Sequence, residues 1–496
     1  MVDMRLTNAF HRLLFLCGVV LLITLLSLYF IYPLTRGGEN FLYSDFGKFY
    51  HSQRCFIHGK NIYTPVYFVK HKRHASHSTS DFKLTSQKSI KLGDNLNPPF
   101  FTLITFPFAY LSYPHAFVLW TFISIISGAI GILLLQQKLN RKTFSPSCGL
   151  LLLIGLFSYF PSFINVQLGQ VSLILLPLVV LGWRAARNEK TSLAAFFLGL
   201  AASLKPFLGL FLFYFLMRKE WRALGTFLIT LLCCSLIAAF FLGIANYRAY
   251  YHVCQHISWA ASSWNVSFYG FLLRLLGGLE KNIALFPLPG LINILYPLIS
   301  ILFFLALIQF LRPQVGISSA HKIDLDFSAI IVGMFLLSPL GWIYYFPLLC
   351  IPFFILWQFS IKGIYPIGLP LFLMTCIFVS NIPMNLIHSD MINTKNVLRL
   401  FLSSSLYFLV LLSLMSLLFG LRYYLPHHFS LHFERIPQAL LLLMGVVAFL
   451  PAYQGIGNAT LYGLLHNSQF YSTHYPTCTS QDLNYVDLSY NKPHRI

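Results

Sequence analysis

Charged residues are scarce in this chain of 496: they make up 10%, and only 14 of them are acidic. A soluble globular domain carries about 25%, so a water-soluble fold is excluded. A disordered chain is excluded as well, because 57% of the residues are apolar and the mean hydropathy is +0.69. Two further absences narrow the chemistry. There is no Walker A sequence and no soluble Rossmann-like segment to hold a nucleotide. The nine cysteines show no Cys-x-x-Cys or Cys/His metal spacing and read mostly as small hydrophobes.

Apolar sequence, by contrast, is abundant. A bilayer-crossing helix uses about 20 apolar residues, and runs such as "LLFLCGVVLLITLLSLYFIY" have that length without the alternation of a β-barrel strand. The composition predicts an all-α polytopic membrane protein of about 11 to 13 transmembrane helices. Its membrane domain spans residues 1–452, and a polar tail covers 453–496. The 34 Lys+Arg and net charge of +20 do not point to nucleic acid. They are dispersed at the ends of apolar runs, where a lipid bilayer attracts them and where they set topology.

Arg5 and Arg12 precede the first run, Leu13 to Leu34, which is too long for a signal-peptide core and reads as a signal anchor with its N-terminus inside. Residues 35–98 are then too polar for lipid and form a large first outer loop. From Pro99, "PFFTLITFPFAYL" is short and interrupted by Pro107, so it reads as a re-entrant or juxtamembrane helix before a full run from Phe117 to Gln136. With that choice "KLNRK", "WRAARNEK", "MRKEWR", "RPQVGISSAHK", "SIKG" and "LRYYLPHH" all become cytoplasmic. The turns "NVQLGQ" (165–170) and "LKP" (204–206) separate runs shorter than a span. Interrupted helices of this kind imply a water-filled cavity open to the outside. Later runs begin near Ala223, Leu291, Phe327, Ile343, Tyr365, Val397 and Ile436, and no internal repeat is evident.

Acids on the outer side can be taken one at a time. Asp45 stands out, about ten residues after the first span, in "LYSDFGKFYHSQRCFIHGKNIY". Its aromatic spacing predicts a helix on the membrane surface, with Phe46, Phe49 and Tyr50 against lipid or protein. Asp45 is either a base at the mouth of a cavity or an N-cap, since Ser44 and Asp45 both cap well. Lys205, between two short apolar runs, either meets a lipid phosphate or snorkels to the headgroups. Arg274, in "NVSFYGFLLRLLGG", either binds phosphate as a planar fork or anchors an interfacial helix. Gln167 and Gln170 either hydrogen-bond sugar hydroxyls or close their own turn. Trp342, Tyr344 and Tyr345 in "SPLGWIYYF" fit an interfacial aromatic belt more readily than a binding site. His71, His74 and His77 read as a solvated basic loop, not a metal site, and nothing in the sequence requires a metal or other cofactor. Cys55, Cys254 and Cys478 can share the outer face, which leaves one disulfide open.

The order of motifs resembles glycosyltransferase family 87. The likeness rests on an Asp shortly after span one, "GKNIY", "NPPFFTLITFPFAYLSYPHAFVLW", "GQVSLILLPLVVLGW", "GLAASLKPFLGLFLFYFLMRKEWRA", "NVSFYGFLLRLL" and "SPLGWIYYFPLL", from about Leu13 to about residue 360. The resemblance implies a GT-C-type bundle and an inverting transfer of a hexose, mannose in the family, from a polyprenyl-phosphate donor to a lipid-linked or glycan acceptor. It further implies a catalytic base at Asp45, an extracytoplasmic site in a bacterial inner membrane, and functional roles for Gln170, Lys205 and the Asn265–Arg274 region. Where many relatives carry His after the Trp of the "SP..W" segment, this chain has Tyr344 and Tyr345. On the residues alone, a transporter or flippase for a lipid-linked saccharide and an O-antigen-type polymerase or ligase are the alternatives. The early position of the large loop favours the GT-C reading over both.

Overall fold

A computed structural model describes residues 2–35, 44–65, 67–70, 88–91, 94–137, 146–255, 260–277, 284–312, 319–361, 368–383, 397–424, 446–453 and 456. The chain opens with α1 (Val2–Thr35), whose stretch Arg12–Ile31 is long and apolar enough to cross a membrane. The first polar loop contains α2 (Asp45–Ile57) and an antiparallel ribbon of β1 (Tyr67–Lys70) and β2 (Lys88–Lys91), registered Tyr67 to Lys91. Apart from this ribbon the described elements are helical. His71, His74, His77, Cys478 and residues 436–445 of the run from Ile436 lie outside the described residues.

The "PFFTLITFPFAYL" run folds as a short helix, α3 (Pro99–Thr105), and a 3-10 turn, Phe106–Tyr110. Pro107 stops the α-helix because it has no N–H to donate. Next come α4 (Tyr113–Gln137), and α5 (Pro146–Ser158) with α6 (Phe160–Leu168), which meet at a 61° bend. At that bend Tyr159 and Pro161 leave the ladder open, and Asn381 accepts the freed Phe160 N–H at 2.9 Å. Then follow α7 (Ser172–Arg187), α8 (Thr191–Leu204), a 3-10 turn (Pro206–Leu210), α9 (Phe211–Met217), α10 (Trp221–Leu242) and α11 (Ile244–Gln255). The rest comprises α12 (Phe268–Leu272) running into a π-helical turn (Leu273–Gly277), α13 (Ile292–Leu311), α14 (Ser319–Leu337), a 3-10 segment (Ile343–Leu349), α15 (Cys350–Ile361), α16 (Gly368–Ser380) and α17 (Val397–Tyr424). Among the described residues five helices are span-length and apolar, or six if α5 and α6 count as one, which makes this a membrane protein. The remaining apolar helices, such as α8 and α16, are 10–17 residues long.

The boundary of α14 differs from the sequence reading. The helix expected from Phe327 starts at Ser319 and carries Lys322, Asp324 and Asp326 into the interior. Charges are tolerated there because they are paired. Asp326, fully buried, lies 2.8 Å from Lys322, 3.2 Å from Arg422 and 3.6 Å from Arg218, while Asp324 accepts from Trp183 at 2.9 Å and lies 3.5 Å from Arg187. Residues of four loops read as cytoplasmic therefore converge at one end of the bundle. Helix α7 runs from there, at Arg187, to Ser172, about 22 Å away at 1.5 Å per residue. The turn before Ser172, the end of α8 and the segment after α14 all lie at that opposite end.

Candidate active site

Helix α2 is set by its cap and its aromatic face. Ser44, in extended backbone, accepts the Gly47 N–H at 3.2 Å and bonds the Tyr113 hydroxyl at 2.9 Å. Ser44 takes the cap, so the Asp45 side chain is not needed for it. Phe46 stacks on Phe117 at 5.2 Å and Phe49 meets Phe101 edge-on at 5.0 Å, so the aromatic face expected against lipid or protein packs on protein.

The Asp45 carboxylate is gripped from two elements. Lys48, one turn along α2, donates to Oδ1 at 2.5 Å, and Gln170 Nε2 donates to Oδ2 at 2.5 Å. Gln170 reaches it because the preceding turn cannot sit elsewhere. Gly169 ends α6 at φ +68, a left-handed conformation that glycine adopts freely, and a Cβ there would collide with Phe46. Trp120 holds the Gly169 carbonyl at 2.8 Å, and the Gln170 N–H closes onto Asn165 at 2.7 Å. The turn is also bolted to the aromatic segment, since Asn165 and Ser172 donate to the Tyr344 carbonyl at 3.1 and 2.6 Å.

Lys205 sits where Pro206 breaks α8, 6% exposed, its ammonium 5.3 Å from the centre of the Tyr345 ring. Its charge and that of Asp45 act on each other, and Asp45 also acts on the Tyr344 and Tyr345 phenols. Trp342 stacks on Tyr344 at 5.9 Å, and Tyr344 meets Tyr345 at 4.8 Å. Asp45, Gln170, Lys205, Tyr344 and Tyr345 thus form one cluster, with Trp342 at its side. Burial acts to raise the Asp45 carboxyl, but Lys48, Gln170 and Lys205 outweigh it and hold the group below the usual carboxylate range.

The other candidates stand further off. Asn265 spends its carboxamide on backbone: Nδ2 donates to the Ala260 and Pro339 carbonyls at 2.8 and 2.9 Å, and Oδ1 accepts from Ser267 and Gly341 at 3.2 and 3.0 Å. It clips the 264–266 strip to 341–343, where Val266 donates to Gly341 at 2.6 Å and Ile343 to Trp264 at 3.0 Å. Arg274 lies in the π-helical turn, 3% exposed. Its Nη1 donates to the Ser262 and Asn265 carbonyls at 2.7 and 2.8 Å, and its Nε and Nη2 have no partner among the described residues. It is linked to the cluster through Asn265, whose backbone pairs with Trp342. Gln167 is buried, and neither of its side-chain polar atoms has a partner among the described residues.

Cys55 and Cys254 are not joined in the disulfide left open above; Cys55 Sγ lies 3.2 Å from His51 Nε2. Among the described residues no group of three His, Cys, Asp or Glu is arranged to hold a metal. Lys48 was missed in the sequence reading, although its i+3 spacing from Asp45 was a usable signal once the helix start was known.

An ionised acid with one oxygen pinned and one held by a half-exposed ammonium, beside a buried cation and aromatic walls, can accept a proton and hold an anion. Residues 95–339 match the family model of glycosyltransferase family 87. Over those residues, about half of its length, the chain is similar to that family. No curated protein matches it. The likeness and the span-length helices support a membrane glycosyltransferase, a class that takes a sugar donor and an acceptor as substrates. The family match includes Gln170, Lys205, Asn265 and Arg274 but begins after Asp45 and ends before Trp342.

Proposed function

We propose that this glycosyltransferase moves a hexose, mannose by the family resemblance, from a polyprenyl-phosphate donor to a lipid-linked or glycan hydroxyl, within a GT-C-type bundle of about 11 to 13 crossings. The observation that carries the reading is the cluster itself. A lone ionised carboxylate and a buried lysine share one site, at the end of the bundle away from the basic loops. By the positive-inside rule that end is extracytoplasmic, on the outer face of the inner membrane in a bacterial setting. A donor anchored in lipid brings its phosphate to that depth.

In the proposed reaction the acceptor hydroxyl gives its proton to Asp45 as its oxygen bonds the anomeric carbon. The bond from that carbon to the phosphate oxygen breaks with its electron pair on the phosphate, and the configuration inverts. Lys205 stabilises the departing anion. The unpartnered Nε and Nη2 of Arg274 offer a second place for phosphate. Gln167 lines the inner end for sugar hydroxyls, and Trp342, Tyr344 and Tyr345 wall the sugar. Asn265 acts by holding the strip that carries Trp342. General-base assistance is worth about 10²–10⁴ in rate. Asp45→Asn is therefore expected to cut transfer from radiolabelled polyprenyl-phosphate mannose by that factor, while the purified variant elutes from size exclusion like wild type. A wild-type rate in that variant refutes the assignment.

A further inference from the structure

Both oxygens of Asp45 are occupied, by Gln170 on one side and Lys48 on the other. A base must bring an oxygen within about 2.6–3.2 Å of the hydroxyl it deprotonates. Each oxygen keeps a second lone-pair site, but a bond donated to it weakens it as a proton acceptor, so release of one of the two partners makes the stronger base. The two are not equally able to leave. Gln170 is 3% exposed and follows a turn pinned by Trp120 and Asn165, so its carboxamide moves only if the turn does. The Lys48 side chain is 27% exposed and carries its ammonium on a flexible four-carbon stem, which can swing into water with the helix unmoved.

We propose that Lys48 is a removable mask on the base: it occupies Asp45 Oδ1 in the empty site and yields that oxygen to the acceptor hydroxyl. This rests on Asp45 being the base. Lys48 is then a positioning residue, acting through Asp45. Acceptor binding and unmasking become one event, and a single water, with few other contacts to compete with the ammonium, is a poor substitute for the acceptor. Donor hydrolysis is thereby suppressed while the acceptor is absent.

The other groups facing Asp45 are Lys205 from the end of α8, the Tyr344 and Tyr345 phenols, the Gln170 amide, and Tyr113 through Ser44. With Lys48 removed, Lys205 and Gln170 still favour the ionised form, so Asp45 moves up toward the ordinary carboxylate range and still acts as a base at neutral pH.

The test uses the full-length, detergent-purified protein with Lys48→Met and Lys48→Arg. Dicyclohexylcarbodiimide modifies protonated carboxyls, and mass spectrometry reads its labelling of Asp45 against pH. The labelling midpoint is expected to rise by about one pH unit in Lys48→Met and to stay put in Lys48→Arg. In transfer assays with polyprenyl-phosphate mannose as donor probe and a graded membrane lipid extract as acceptor, Lys48→Met should need about two- to fivefold less extract for half-saturation, the scale of a half-exposed ion pair. Its donor requirement should not change, and its donor hydrolysis without extract should increase. An unmoved midpoint with an unmoved extract requirement overturns the masking role, as does a changed donor requirement with the extract requirement unmoved. A wild-type rate in Asp45→Asn overturns the base reading itself. An inactive Asp45→Asn beside an unmoved Lys48→Met overturns only the mask.

Discussion

The Gln170 carboxamide donates to Asp45 Oδ2 across 125 residues of chain, from a turn that closes only because residue 169 is glycine. The amide fixes the oxygen that is not expected to accept the proton and, through it, the direction in which the other points. A hydrogen bond to a charged group is worth about 1.5–3 kcal/mol. Gln170→Leu is therefore expected to lower transfer by about ten- to a hundredfold with the bundle intact. Gln170→Glu should do worse, because a second carboxylate there disfavours ionisation of Asp45. Steady-state transfer rates, with thermal melting as the folding control, decide it; equal rates for Leu and wild type remove Gln170 from the site.

Asp326 is the hub of the opposite end, facing Lys322, Arg218 and Arg422 with its side chain fully buried. Removing one member of such a network strands the others without compensation, a cost of about 3–5 kcal/mol. Asp326→Asn should lower the melting temperature sharply, while the fraction that remains folded transfers sugar at the normal rate. A large loss of rate per folded molecule, with melting unchanged, contradicts this division of labour.

His51 gives a pH signature. Burial pushes its imidazole down to about 4, its contact with the Thr64 carbonyl notwithstanding, against an ordinary value near 6.5. As pH falls through about 6.5 the unfolded chain takes up a proton that the folded one refuses, so stability is full above that pH and declines until about 4. Melting of the purified protein should fall over this window, and His51→Asn should flatten the decline. Identical slopes in the two proteins show that other groups govern it.

Much of this arrangement was legible in the residues. Asp45 and Lys205 stood out because acids are rare and because a lysine between apolar runs needs a reason. The break at 204–206 occurs where proline marks it, and of the turn expected at 165–170 the part from Gly169 is a turn while 165–168 end a helix. Lys48 was not legible, because its alignment with Asp45 depends on which residue caps the helix, and Ser44 and Asp45 are equally good caps. Asp324 and Asp326 were lost inside an apparently polar loop, since the partners that make them buriable come from positions 187, 218 and 422. Asn265 was named only through the family resemblance, and two of its four backbone partners, Pro339 and Gly341, lie more than 70 residues on, a distance no local pattern spans.

The ion network ties α7, α14 and α17 together at one tip. Sliding or tilting any of these rods past its neighbours would drag a buried carboxylate off its cations, so these three act as the fixed part of the bundle. On the proposed function, short, broken pieces at the far tip are the ones free of these ties and able to admit donor and release product: the juncture at Pro206, the glycine elbow at 169 and the Lys48 arm. On that reading, movement during transfer is confined to the tip of the bundle that carries Asp45 and Lys205.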